Sequence, residues 1–232
     1  MKERFLEFAK AEDGTEEIYL YGPIRKQSLL EKAWEMDEEG RTDAMTFAER
    51  LAAVESDSIT VRINSNGGSV SEGLAIYNTL VSSEKEITTI CDGFACSIAS
   101  VIFCAGKNRI MQDASLLMIH NAWTEGGDGD ANYFRKLAQD LDKVTLPSVK
   151  AYMSVSNLAE EDIKRLMDDE TWIGADEAKE WGFATEICTQ EAKQELQQAQ
   201  LLHLVRKNNE MKKRIKELTK SQPQDAWKNF FN

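Results

Sequence analysis

Apolar residues along this chain fall into two spacings. Short runs rich in β-branched and aromatic residues predict strands: Ile18-Tyr19-Leu20-Tyr21, stopped by Gly22-Pro23; Ile59-Thr60-Val61-Arg62-Ile63; Glu86-Ile87-Thr88-Thr89-Ile90-Cys91; Arg109-Ile110-Met111; and Ser115-Leu116-Leu117-Met118-Ile119-His120-Asn121. Between them Ala44, Phe47, Ala48 and Leu51 recur at helical spacing, predicting an amphipathic helix that ends near Glu55-Ser56-Asp57. Leu74, Tyr77, Leu80 and Val81 form a second stripe. Phe134, Leu137, Leu141, Val144 and Tyr152 predict a long helix over 133–155, with Pro147 as a kink and with enough length to project toward a partner surface. Asn157 with Glu160 three residues on resembles a capping box for a helix through Met167, and a short helix over 175–181 is closed by Gly182.

The two ends read differently from the body. Residues 1–15 are charged with isolated Phe5, Leu6 and Phe8, which suits a short helix or an arm that docks on a neighbour. From about 190, Leu201, Leu204, Met211, Ile215 and Leu218 keep a three-four spacing with Asn208 in the seam. Lys and Arg crowd 206–220, a linker Ser221-Gln222-Pro223-Gln224 follows, and the chain closes on Ala226-Trp227-Lys228-Asn229-Phe230-Phe231. Such a segment either packs back on its own domain or serves as a partner-binding tail.

With 232 residues, 42% hydrophobic and 29% charged, the chain has room for one large domain, or one domain plus an appendage, around a substantial core. The formal net charge of −12 argues against general nucleic-acid binding, which requires a positive surface. Cys91, Cys96, Cys104 and Cys188 show no C-x-x-C spacing, and the first three lie in apolar contexts; they read as reduced, structural thiols with no metal role. No window reaches the roughly 18 consecutive apolar residues of a membrane span, and no secretory apolar core follows Met1, so the expected location is the cytoplasm.

Chemistry concentrates at three places. Ser97 lies where the strand through Cys91 gives way to small residues and then to Ile98-Ala99-Ser100-Val101-Ile102-Phe103-Cys104-Ala105. There it is either a helix N-cap or a nucleophile held rigidly, flanked by Ala95 and Ala99 as glycines flank a G-x-S-x-G elbow. Asn64-Ser65-Asn66-Gly67-Gly68-Ser69 joins a strand to a helix, and paired glycines let backbone N–H groups approach an oxyanion or a phosphate. The P-loop lysine is absent and G-x-G-x-x-G is not met. His120 ends an apolar strand, with a structural role as the bland alternative; the other histidine, His203, falls in a charged helix. Asp168, Asp169 and Glu170 supply an acid able to orient a histidine. Together these are the parts of nucleophilic acyl transfer.

Four motifs in order, Asn64-Ser65-Asn66-Gly67-Gly68-Ser69, Gly93-Phe94-Ala95-Cys96-Ser97-Ile98, Met118-Ile119-His120-Asn121, and Glu170-Thr171-Trp172 through Glu177-Ala178-Lys179-Glu180-Trp181-Gly182, resemble those of the Clp protease proteolytic subunit family over roughly residues 16–188. The resemblance implies a crotonase-like α/β spiral of β-β-α units with a long protruding helix. It implies a cytoplasmic serine endopeptidase without metal or cofactor, assembled as a heptameric ring or double ring. Carried over residue by residue, Ser97 is the nucleophile, His120 the general base, Glu170 the third member, and the amides of Gly68 and Ile98 the oxyanion hole. Glu170 stands where the family usually has Asp, with Asp169 and Asp168 just upstream as alternatives. Asn66 stands where Pro is common, and the usual axial-loop pattern is missing at the N-terminus. With about forty extra C-terminal residues, the chain is most similar to phage-encoded Clp-like head maturation proteases. The organisation expected is an arm (1–15), a catalytic domain (16–188) and a helical extension with tail (189–232). Expected partners are protein substrates, other copies of the chain, and an ATPase unfoldase or a phage capsid or scaffold protein, with neither nucleic acid nor membrane. The competing readings are a crotonase-type acyl-CoA lyase or hydratase, which needs an acidic catalytic residue near the hole, and a decayed scaffold-binding module.

Overall fold

A computed structural model describes residues 6–10, 16–26, 42–189, 207 and 210–214. The strand-forming runs pair in parallel: β2 (Glu16–Tyr21) with β3 (Ser58–Ser65), and β3 with β4 (Glu86–Cys96), in a register that sets Ile18 beside Val61 and Ile59 beside Ile87. Parallel neighbours need crossovers, and here helices supply them. α1 (Ala44–Ala52) precedes β3, α2 (Val70–Val81) leads to β4, and α3 (Ile98–Phe103) leads to β5 (Asn108–Gln112). Alternate strand residues Ile18, Leu20, Ile59, Val61, Ile63 and Cys91 are buried with Phe47, Leu51, Ile76 and Leu80 from the helices. α3 is buried at every position, which is why its sequence is apolar all round.

β4 divides the sheet. Its first half pairs with β5 (Ile90 with Ile110), whereas its last residues pair with β6 (Leu116–Ile119), setting Cys96 beside Met118. The expected strand to Cys91 therefore runs on to Cys96, across a register shift against β3 between Ile63 and Ser65. The shift strands the Phe94 amide, and Asn64 Oδ1 accepts it at 3.1 Å. A Cβ on Gly93 would sit 2.8 Å from that oxygen, so the close approach requires glycine.

The chain then enters α4 (Ala131–Met153), capped by Asp130, whose carboxylate accepts from the amides of Asn132 and Tyr133. Only Ser148, Val149, Ala151 and Tyr152 of this helix are buried; Tyr133, Phe134, Val144 and Leu146 are exposed. α5 (Glu160–Asp168), β7 (Thr171–Gly174, antiparallel to β6), α6 (Ala175–Glu180) and β8 (Glu186–Cys188, parallel to β5) complete the unit Met1–Cys188. This is the mixed α/β, crotonase-like architecture that the motifs implied.

Two local expectations are corrected. Within the expected N-terminal arm, Leu6–Lys10 is a strand, β1, antiparallel to β2 with Phe8 opposite Ile18; its charges suit an edge position. The capping box at Asn157 does not form. α5 begins later, with Ala159 at the cap position, and Asn157 instead donates to the carbonyls of Trp181 (from N–H) and Glu180 (from Nδ2), each at 2.9 Å, tying this turn to the end of α6. In the second unit, Thr189–Asn232, residues 210–214 are helical; the remaining heptad positions and the aromatic tail lie outside the described residues.

Candidate active site

Ser97 occupies the helix-cap position of α3 but makes no capping bond with its side chain. Its backbone sits at φ 56°, ψ −129°, a region L-residues rarely adopt, and the turn directs the hydroxyl away from the helix. Ser97 Oγ lies 2.7 Å from His120 Nε2. The two residues, 23 apart in sequence, meet because β4 and β6 are neighbours, with Ser97 N–H donating to Met118 O at 2.8 Å. Burial pushes the His120 pKa below the ordinary histidine value and favours the neutral ring, while the charge of Glu170 pulls the other way.

Asp168 Oδ1 accepts from Asn121 Nδ2 at 2.7 Å, so this acid holds the residue after the histidine. Asp169 ends α5. Glu170 sits at φ 48°, and its charge opposes the larger effect of burial on the His120 pKa. Among the described residues, no hydrogen bond joins either ring nitrogen to Glu170, Asp169 or Asp168.

The glycine turn packs directly on Ser97. A Cβ on Gly67 would lie 2.6 Å from Cys96 O and 2.8 Å from Ser97 Cβ, and one on Gly68 would collide with Ile24 O; both glycines have positive φ. Ile24 brackets the turn, donating to Gly67 O (3.0 Å) and accepting from Ser69 N–H (2.7 Å). In a trans peptide the C=O and N–H point to opposite sides, so holding Gly67 O on Ile24 turns the Gly68 N–H the other way. Among the described residues that N–H donates to no carbonyl. As the first residue of α3, Ile98 likewise has an N–H without an intrahelical acceptor. A hydroxyl, an imidazole and two backbone donors thus share one corner.

Next to Asn121, the residue after His120, lies a cleft of about 320 Å³ lined by Ala122, Leu141, Leu146 and Val149 together with the charged Asp142, Lys164 and Asp168. Thr145 Oγ1, at its wall, accepts from Ala122 N–H at 3.0 Å. Thiol chemistry does not compete: Cys96, adjacent to Ser97, is buried and its pKa is pushed up to about 11, and burial takes Cys91 and Cys104 to about 12. Sequence reasoning missed Ile24, Asn64 and Ser100, which brace the corner from behind. Ser100 left a trace as a hydroxyl three residues after Ser97 in an otherwise apolar helix, and Asn64 as the first residue of the glycine-turn motif.

The family model for Clp protease matches residues 33–191. Among known proteins, the chain is 30% identical over 175 residues to an ATP-dependent Clp protease proteolytic subunit of Chlorella vulgaris, covering 74% of this chain and 86% of that one. It is 27% identical over 177 residues to proteolytic subunit 1 of Thermobifida fusca, covering 75% and 80%. Against the Bacteroides fragilis subunit it is 34% identical over 131 residues, covering 56% and 63%. With the fold, the ordered motifs and the matched span in agreement, the chain belongs to the Clp protease family, whose members are peptide-bond hydrolases.

Proposed function

We propose that this chain is a serine endopeptidase in which Ser97 is the nucleophile, His120 the general base, Glu170 the third member of the triad, and the amides of Gly68 and Ile98 the oxyanion hole. The reading rests on the 2.7 Å contact between Ser97 Oγ and a His120 ring kept neutral by burial. As Oγ bonds to the substrate carbonyl carbon, its proton passes to Nε2 and the carbonyl oxygen becomes an oxyanion met by the two N–H groups. The C–N bond then breaks, the imidazolium gives its proton to the leaving amine, and water repeats the sequence on the acyl-enzyme. Glu170 acts through charge, favouring the imidazolium that forms during the step. The mixed polar and apolar cleft that begins at Asn121, the residue after His120, is the place this reading gives to a substrate side chain.

The crotonase alternative asks for a free acid near the hole. Glu72, in the first turn of α2, is buried there, but one oxygen accepts from Ala44 N–H at 3.0 Å and the other pairs with Lys26 at 3.3 Å. That engagement favours the peptidase.

In this reading the protein works in the cytoplasm; among the described residues no helix is long and apolar enough to cross a membrane. Copies assemble as rings, and the exposed length of α4 is the element available for stacking them. The basic C-terminal segment recruits an acidic capsid or scaffold protein, or the chain works with an ATPase unfoldase. The test is labelling by a fluorophosphonate probe, with mass spectrometry of peptides released from candidate capsid proteins. Wild-type protein should label and cleave, and Ser97→Ala should do neither. Intact Ser97 protein that never labels in any oligomeric state, beside reactive controls, overturns the assignment.

A further inference from the structure

Two buried hydroxyls form a chain that ends on the nucleophile's own carbonyl. Ser100 Oγ donates to Ser97 O at 2.6 Å, and Ser100 N–H donates to the same oxygen at 3.0 Å. Ser100 has one hydroxyl proton, and Ser97 O takes it. The 2.8 Å contact between Ser100 Oγ and Tyr152 OH is therefore donated by the tyrosine. Both side chains are 1% exposed. Tyr152 comes from the buried base of α4 and is fixed edge-on against Phe183, with ring centroids 5.8 Å apart. Burial raises its pKa, so it stays protonated and able to donate.

Ser97 O belongs to the Ser97–Ile98 peptide, the unit that carries the Ile98 N–H. Because that unit is planar and trans, pinning its oxygen on one side fixes where the N–H points on the other. Hydrogen bonds to a carbonyl also polarise the attached N–H and strengthen it as a donor. The strained backbone at Ser97 needs such support, since nothing intrinsic to a serine at φ 56° keeps ψ at −129°. Gly68 has a counterpart in Ile24, which holds Gly67 O in the same way.

We propose that Ser100 and Tyr152 are positioning residues: the relay from Tyr152 OH through Ser100 Oγ to Ser97 O aims and polarises the Ile98 amide for the oxyanion. The inference rests on the peptidase reading for its kinetic test. Ser100→Ala, the isosteric Tyr152→Phe and the double variant are assayed in the full chain, with active sites counted by fluorophosphonate titration. Ser100→Ala should lower kcat per titrated site by about tenfold, a fraction of the 10²–10³ that complete loss of an oxyanion donor costs. KM should be unchanged, and affinity for a peptide boronate, which presents a tetrahedral oxyanion, should fall by the same factor. Tyr152→Phe should act in the same direction, and the double variant should be no worse than Ser100→Ala because both act through one bond. The acid limb of the pH profile should not move, since His120 is untouched.

Loss of stability alone would lower the melting temperature and the number of titrated sites while leaving kcat per site and boronate affinity at wild-type values; that result overturns the relay. Should the wild-type chain neither label nor cleave, the peptidase reading fails by itself and the relay is judged from crystal structures of wild type and Ser100→Ala. A Ser97–Ile98 peptide that turns in the variant supports it, and one that keeps its plane refutes it.

Discussion

Two polar clusters sit half-buried on the same sheet, and they are built to opposite standards. On the face away from the helices, Arg62 reaches Asp92 through two nitrogens, with Nε donating to Oδ2 at 2.8 Å, and also pairs with Glu17 at 3.5 Å. Tyr21 OH donates to Asp92 at 2.9 Å, Tyr19 OH to Glu17 at 2.5 Å, and Gln112 adds a longer contact. Burial together with the Asp92 bond lifts the Tyr21 pKa to about 12. Every charge there has a partner on a neighbouring strand. At the Ser97–His120 corner the backbone is strained and burial holds the histidine toward its neutral form; among the described residues, two N–H groups there lack acceptors and no acid is bonded to the ring. Saturated networks hold strands in register, while unsatisfied ones keep capacity in reserve for a reacting molecule.

Removing the base should have the largest effect. His120→Ala should cut kcat by 10³-fold or more, toward the roughly 10⁶-fold known for triad members that act as a unit, with little change in melting temperature. Steady-state kinetics beside thermal unfolding checks it, and retention of more than a tenth of wild-type activity would separate the corner from the chemistry.

Glu170→Gln comes next, with an expected loss of about ten- to a hundredfold, because the carboxylate acts by charge across a gap and not by a direct bond. The neutral ring is the competent base, so the rate falls as pH drops through the His120 pKa, which burial lowers from the ordinary histidine value. Glu170 raises that pKa; without it the acid limb should shift further toward low pH. Asp169→Asn should leave the limb in place. If Asp169→Asn shifts it and Glu170→Gln does not, the third role belongs to Asp169.

The smallest kinetic effect belongs to the saturated cluster. Asp92→Asn removes the negative charge facing Arg62 and turns one of the two acceptor oxygens shared by Arg62 and Tyr21 into a donor, and should cost on the order of 2 kcal/mol in chemical denaturation. Activity per titrated site should stay within about twofold of wild type, an expectation that follows from the distance between independent sites. A large drop in kcat per site would mean that the two clusters are coupled through β4.

Where alternation or helical spacing was strong, the sequence located the elements: β2, β3, α1, α2 and the long α4 all fall where apolar periodicity puts them, because burying one face is a local property of the pattern. Leu6–Lys10 and Asn157 were not legible, each because its role lies with another segment. Charge at an edge strand resembles charge on an arm, and an asparagine suited to capping serves equally well tied to another helix. The motifs nominated Ser97, His120, Glu170, Gly68 and Ile98. They gave no role to Asn64, Ile24, Ser100 or Tyr152, whose value lies in the through-space partner each reaches.

By itself, then, the order of residues determined where β2, β3, α1, α2 and α4 would form, which family the motifs belong to, and which side chains have the chemistry for acyl transfer. Only the tertiary structure decided that β4 runs on past its register shift to set Ser97 beside β6, that the serine hydroxyl turns to His120 instead of capping its helix, and that Asp168 holds Asn121. The physical reason is that hydrophobic periodicity is written along the chain, whereas hydrogen-bond direction and peptide-plane orientation come into being when distant segments meet.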